Sequence, residues 1–425
     1  MTVHARESSA PGAEVTHTGS PAMRRRVSTR LALVVSLLLA LLLTACDSSL
    51  APVMKTPTAT AILASENLYT SCRDGVIHVL RARDGAPVTQ LGDATGPTAL
   101  APALSDGVLY YGTGYGVEMS GDTALVARDI TAKRDLWRTV IPGYAVALPV
   151  IQRDTVYVAA NSLRNDAASA IVALDAHSGA LRWRYESREG IIGSPAVSGD
   201  SVWATTWRGL RRSLLALRAS DGTLLWRVPL VGDPSSAPVL AQGILYVSLF
   251  SGALYALRAD TGATVWVYHT TSPIDTTPAV LDGVVYASAR DGTLFALNAA
   301  DGRHLWTHSS IAGHLGWGEI LAQDQTLYAG APDGLLYALD ARTGATLRAY
   351  QLGDQPPIAE ADTAFIIWTA PILRDDVLYI EHTFGDKRFA VVQLVGEVVA
   401  IDLDTGAARW TRTIMDANCS PLVIG

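Results

Sequence analysis

Hydrophobic residues along this chain fall in short runs, four to six residues long, separated by glycine-containing turns. Val284-Val285-Tyr286-Ala287 is one such run, rich in β-branched and aromatic side chains, and it lies between Asp282-Gly283 and Asp291-Gly292. Runs of this length and composition between Asp-Gly pairs predict strands joined by tight turns. No segment keeps a helical period over three turns. The clearest unit runs from Pro278 to Trp306, with Leu294-Phe295-Ala296-Leu297 and Asp301-Gly302 inside it, and its neighbour runs from Pro238 to Trp266. Each unit predicts four short antiparallel strands.

The unit recurs eight times. Its second turn glycine aligns as Gly85, Lys133, Gly179, Gly222, Gly262, Gly302, Gly344 and Gly406. Four residues on, Trp stands at 137, 183, 226, 266, 306 and 410, with Thr89 and Arg348 in the other two units. The aromatic of the second strand is Tyr69, Tyr110, Tyr157, Trp203, Tyr246, Tyr286, Tyr328 or Tyr379. Four-stranded units of 40–50 residues in this number predict an all-β, eight-bladed β-propeller. The recurrent Trp would fill the wedge between neighbouring blades, where a large flat side chain buries most area. Lys133 in a glycine position predicts an irregular second blade, since a left-handed conformation costs a residue with a β-carbon about 1 kcal/mol.

The chain ends in Cys419-Ser420-Pro421-Leu422-Val423-Ile424-Gly425, a first strand with nothing after it, while the first unit has a poor first strand of its own. Both features predict that the C-terminal strand completes blade one. In that register Cys72 faces Cys419. Cross-strand Cβ atoms lie about 4.5–5.5 Å apart, so a Cys72–Cys419 disulfide is expected to staple the ring.

Arg24, Arg25, Arg26 and Arg30 precede a 13-residue apolar run, Leu31 to Leu43, which ends in Leu43-Thr44-Ala45-Cys46. The run is too short to cross a bilayer and fits a signal-peptide core. Its ending resembles the lipobox of bacterial lipoproteins. That implies cleavage before Cys46 and acylation of its thiol. Residues 1–45 are then a signal peptide, with Met23 a candidate start, 46–58 a tether, and 59–425 the propeller. Twin-arginine export, hinted by Arg25-Arg26, stays open beside the general route.

Composition narrows the function. The chain has 33 basic and 40 acidic residues, net −7; from Cys46 onward the counts are 28 and 38. An acidic protein of this kind is a poor nucleic-acid binder. With 49% hydrophobic residues it has ample core, and three cysteines exclude a disulfide-dense mini-fold.

Ala338-Leu339-Asp340-Ala341-Arg342-Thr343-Gly344 and Ala400-Ile401-Asp402-Leu403-Asp404-Thr405-Gly406, the latter ending in Trp410, resemble the repeat of the pyrroloquinoline-quinone (PQQ) β-propeller family. The resemblance covers roughly residues 58–425. With the lipobox, the chain is similar to the BamB lipoproteins of outer-membrane β-barrel assembly. That resemblance implies a non-enzymatic docking scaffold held at a membrane by its lipid, with a protein partner in the cell envelope. The enzymatic branch of the PQQ family implies a quinone and Ca²⁺ held by Glu, Asn and Asp, and many members carry a vicinal Cys–Cys pair. This chain has no adjacent cysteines and no Cys-x-x-Cys-His. The expected cofactor is therefore none, with PQQ and Ca²⁺ as the alternative and a small-molecule sensor or surface solute binder beside it. No catalytic or metal site is predicted; His304 and His308 flank strand-forming Trp306.

Some residues stand outside the repeat. Trp207, Trp317 and Trp368 lie at strand ends that emerge on one face of a propeller, together with Arg208, Asp275, Arg290, His314 and His382. Convergent aromatics with a few polar groups predict a partner or ligand face. Longer excursions, including a long hairpin from Glu381 to Glu397, decorate the frame. The expected assembly is a single, monomeric propeller exported to the extracytoplasmic side of a membrane.

Overall fold

The computed structural model describes residues 66–71, 76–91, 102–113, 123–141, 143–145, 148–161, 169–309, 318–331, 335–352, 364–386, 393–415 and 423–424. Among these residues there are strands and no helix, arranged as eight antiparallel sheets. The eight sheets form a ring, an eight-bladed β-propeller. Cys46, Cys72, Cys419, His314 and Trp317, with the signal segment and tether, lie outside the described residues.

Blade 6 shows the regular plan. Ala279–Leu281, Val284–Ser288, Thr293–Asn298 and His304–Ser309 follow one another in a meander. The first strands of neighbouring blades touch one another around the axis, and the fourth strand is outermost, with alternate residues in solvent. Turns between strands one and two and between strands three and four therefore share one end of the ring, here the turn face. Turns between strands two and three share the other end with the blade-to-blade connections; this is the loop face.

The core consists of eight apolar clusters, each spanning two neighbouring blades. The repeated Trp lies at these seams, as expected. Its indole N–H donates to a backbone carbonyl of the next blade: Trp137 to Ala176 (2.8 Å), Trp183 to Ala219 (2.7 Å), Trp266 to Ala299 (2.9 Å) and Trp306 to Ala341 (3.1 Å). Trp226 reaches Ala259 at 3.3 Å. The second-strand aromatic supports the same carbonyl; Tyr286 donates to Ala341 at 3.0 Å.

The ring closes as the sequence predicts. The C-terminal Val423–Ile424 pairs with Asn67–Ser71 as the innermost strand of blade 1. Across this seam Trp410 donates to the carbonyl of Ala82 at 2.9 Å.

The closing strand pairs Tyr69 with Val423 and Leu68 with Ile424. Two expectations need correction. First, blade 2 is regular. Lys133 is left-handed (φ 55°), yet Ala127 still faces Trp137 with the same bulge that follows Ala296 and Trp306. Second, His382 is not a surface group: it is 3% exposed and lies 3.4 Å from Glu397 across its own hairpin.

Two blades depart from the plan. Blade 4 has long strands, Gly190–Ser198, Ser201–Arg208 and Arg211–Arg218. Blade 8 has the expected long hairpin, Val377–Asp386 against Gln393–Asp402, with Ala364–Trp368 added beside it. In an eight-fold ring these two blades stand on opposite sides, and both rise on the loop face.

Candidate functional site

The loop face of blades 4 to 6 gathers the exposed apolar residues that the framework does not use. Trp207 closes the second strand of blade 4 and is 43% exposed. Leu210, in the turn that follows, is 91% exposed. Val231, on the connection to blade 5, is 78% exposed, and Phe250, in the second-to-third turn of blade 5, is 43% exposed. Backbone bonds tie them into one surface. The Phe250 N–H donates to the Asp233 carbonyl at 2.8 Å, and Leu230 N–H to the Arg212 carbonyl at 2.9 Å.

Guanidinium groups are interleaved with these side chains. Arg290 lies over the Phe250 ring, 5.4 Å from its centre, a distance at which a cation is drawn to the face of an aromatic ring. The same Arg290 donates to Asp275 at 2.6 Å. Arg212 pairs with Asp233. Arg208 donates to the Arg188 carbonyl at 2.7 Å, and Arg211 is exposed beside it. The surface is therefore apolar with a rim of guanidinium groups, of which Arg290 and Arg212 are paired with Asp275 and Asp233.

The hairpin carrying Trp207 is braced from below. Glu189 is buried, and its carboxylate accepts a bond from Thr206 Oγ1 (2.6 Å) and pairs with Arg227. Arg227 Nε in turn donates to Ser213 Oγ at 3.0 Å. This charge is buried with its partners in place, so it fixes geometry at little net gain in stability. Asn161 of blade 3 grips the inner strand of blade 4: its Oδ1 accepts from Ile191 N–H (2.8 Å) and its Nδ2 donates to Ile191 O (3.0 Å). That clamp ties up the backbone N–H and carbonyl of Ile191 on the axial edge of blade 4.

Of the residues singled out from sequence, Trp207, Arg208, Asp275 and Arg290 come together on this surface. His382 is buried in blade 8. The backbone of Trp368 pairs with that of His382. Leu210, Val231 and Phe250 were not singled out. Their signal was present: Gly209-Leu210 and Phe250-Ser251 stand where blade 6 has Arg290-Asp291, an apolar residue in a turn that is otherwise polar.

Nearer the axis, Glu319 of blade 7 accepts a bond from Thr277 Oγ1 of blade 6 at 3.1 Å. Its side chain keeps some solvent contact, yet burial pushes its carboxyl up to about 7, with Asp275 adding to the rise and the Thr277 bonds opposing it. Glu381 of blade 8 is fully buried, and burial raises its carboxyl well above the usual range against the bond from Thr70 Oγ1 (3.0 Å). Its Oε1 has no hydrogen-bond partner among the described residues. Three of the acids a quinone–calcium site could draw on have partners of their own: Glu189 with Arg227, Asp275 with Arg290, Glu319 with Thr277. Among the described residues no three His, Cys, Asp or Glu converge on a point that could hold a metal ion. A hard divalent cation needs several oxygens together, so the described residues do not fit that group.

Comparison with known proteins follows the fold. The structure of BamB from Moraxella catarrhalis superposes over 76% of this chain and 90% of its own, with a TM-score of 0.58 at 21% identity. The quinohemoprotein alcohol dehydrogenase from Comamonas testosteroni covers 77% of this chain and 71% of its own, with a TM-score of 0.59 at 14% identity. The computationally designed Ika8 protein covers 78% and 96%, with a TM-score of 0.58 at 17% identity. At these identities the likeness is one of fold, shared by BamB, an alcohol dehydrogenase and a designed protein. No curated protein matches the chain in sequence. The family model described as outer membrane protein assembly factor BamB matches residues 73–209, 166–237 and 211–418, which is most of the propeller, and the chain belongs to that family.

Proposed function

We propose that this protein is a lipid-anchored scaffold on the extracytoplasmic side of a membrane, docking a protein partner on the loop face of blades 4 to 6. The observation that carries the reading is the exposed apolar surface of Trp207, Leu210, Val231 and Phe250, rimmed by Arg208, Arg211 and Arg290. Exposed apolar patches with a polar rim are interaction sites, and Trp and Arg supply most binding energy at such sites. Arg208 and Arg211 on the rim favour a partner segment with apolar and acidic side chains. Family membership supports an envelope location, since the family is described by outer-membrane protein assembly. The mechanism is rigid presentation. The closed ring and the Glu189–Arg227 brace hold the loop tips still, so binding costs little ordering entropy. The Asn161 clamp directs the partner onto the tips and away from the blade edge.

The test is a photo-crosslinking amino acid at position 210 in the membrane-extracted, lipidated protein, with position 347 as the reference. Leu347 is also exposed but lies on the outer strand of blade 7. A discrete adduct from 210 and none from 347 is expected. Equal or absent adducts at both positions would remove the docking face. Cys46→Ala is expected to move the protein from the membrane fraction to the soluble fraction.

A further inference from the structure

Two residues past the wedge position, each outer strand places a side chain into the seam with the next blade. The eight are Leu91, Thr139, Tyr185, Val228, Tyr268, His308, Tyr350 and Arg412. In the regular seams this side chain fills the seam. Tyr268 packs on Phe295 of blade 6 with ring centres 5.3 Å apart, and His308 on Tyr337 of blade 7 at 6.1 Å. Val228 lies against Gly262, and Thr139 donates to the Gly179 carbonyl at 2.7 Å. At the seam of blades 8 and 1 the residue is Arg412, and the one facing it is His78 in place of the facing ring. Arg412 is exposed and makes no ion pair or side-chain hydrogen bond among the described residues. The space that a tyrosine ring fills at Tyr185, Tyr268 and Tyr350 opens here into a cleft of about 430 Å³, within the size range of small-molecule sites.

The cleft is two-sided in chemistry. Leu80, Val88 and Ile414 supply apolar wall, while Arg412, His78 and Gln90 supply hydrogen-bonding groups. Gln90 Nε2 and His78 Nδ1 lie 3.5 Å apart. A ring-sized apolar slot closed by a guanidinium matches a flat apolar body that carries an anion, because guanidinium and carboxylate pair through two parallel hydrogen bonds. From this geometry we infer a binding site for a small aromatic carboxylate in the cleft between blades 8 and 1, with Arg412 holding the carboxylate and the ring occupying the place of the missing aromatic. The site lies on the flank of the ring, away from the loop face, and is independent of the docking reading.

The experiment is calorimetric titration of the full chain with 4-hydroxyphenylacetate and with uncharged 4-ethylphenol. Saturable binding of the acid is expected, with the phenol weaker by about tenfold or more, the worth of one charge-assisted pair. Arg412→Gln keeps the cleft and drops the charge, and should bring the acid down to the level of the phenol. Arg412→Tyr fills the cleft as Tyr268 and Tyr350 fill theirs; it should abolish binding of both compounds and raise the melting temperature. The second readout shows that loss of binding does not come from misfolding. A wild-type chain that binds neither compound, equal binding of acid and phenol, or an Arg412→Tyr variant that still binds would overturn the site.

Discussion

The seam between blades 5 and 6 and the seam between blades 1 and 2 use the same strand plan and are latched differently. At the first, Trp266 donates to the Ala299 carbonyl, Tyr246 packs on the indole at 5.8 Å, and Gly302 lies beneath the ring. A β-carbon at Gly302 would come within 2.7 Å of the indole, on a backbone at φ +70°. At the second, Thr89 stands in the Trp position and donates only to the carbonyl of its neighbour Gln90, at 3.3 Å. Facing it is Lys133, with a side chain in the same left-handed turn. The turn itself therefore tolerates a side chain at modest cost, and it is the indole of the preceding blade that demands glycine. The pairing holds around the ring: Trp137 with Gly179, Trp183 with Gly222, Trp226 with Gly262, Trp306 with Gly344 and Trp410 with Gly85. The blade 7–8 seam is intermediate. Arg348 replaces the indole there, reaching the carbonyls of Leu403 (3.0 Å) and Asp404 (3.1 Å) and lying over Gly406.

The largest expected effect is loss of a latch. Trp266→Ala should destabilise the ring by about 3–5 kcal/mol in chemical denaturation, the range for emptying a buried aromatic site, whereas Thr89→Ala should cost less than about 1 kcal/mol. Gly302→Ala should follow at about 3 kcal/mol, combining a left-handed backbone with overpacking against the indole. Thr89→Trp alone should destabilise by about 1–3 kcal/mol, because the new indole meets the Lys133 side chain. Lys133→Gly alone should change stability by no more than about 1 kcal/mol, since relief of the left-handed strain is offset by the added freedom of the unfolded chain. A comparable melt for Gly302→Ala and a hypothetical Lys133→Ala would erase the distinction between the seams.

A separate effect is electrostatic and sits at the axial end of the blade 6–7 seam. The folded chain holds a proton on Glu319 up to about 7, while an unfolded glutamate releases it near 4.3. Between those values the folded state binds more protons. Stability from this group is thus present below the unfolded value and declines as pH rises toward 7. Glu319→Gln should flatten that decline in melts between pH 4.5 and 7.5. An unchanged slope would mean that burial does not keep the Glu319 carboxyl protonated.

Much of this architecture could be read from the chain. Asp-Gly pairs, the recurring Trp and the orphan C-terminal strand led to eight blades and to the closing strand in blade 1. What escaped were contacts between units. Lys133 read as a defect within its own blade, because the reason it is tolerated, Thr89, belongs to the previous one. On the loop face, Trp207, Arg208, Asp275 and Arg290 were visible as departures from the repeat. His382 departs from the repeat equally, yet faces inward because the hairpin that carries it continues beyond the usual blade. Leu210, Val231 and Phe250 are ordinary residues made unusual only by where the turns put them.

The most direct measurement is the double-mutant cycle at positions 89 and 133. Denaturant melts of wild type, Thr89→Trp, Lys133→Gly and the double variant give the coupling between the two sites. If the indole is what requires glycine, the double variant will be more stable than wild type and than either single variant, with a coupling of about 2 kcal/mol or more, within the range for residues in contact. Additive effects, with the double variant no better than the Trp substitution alone, would contradict the account.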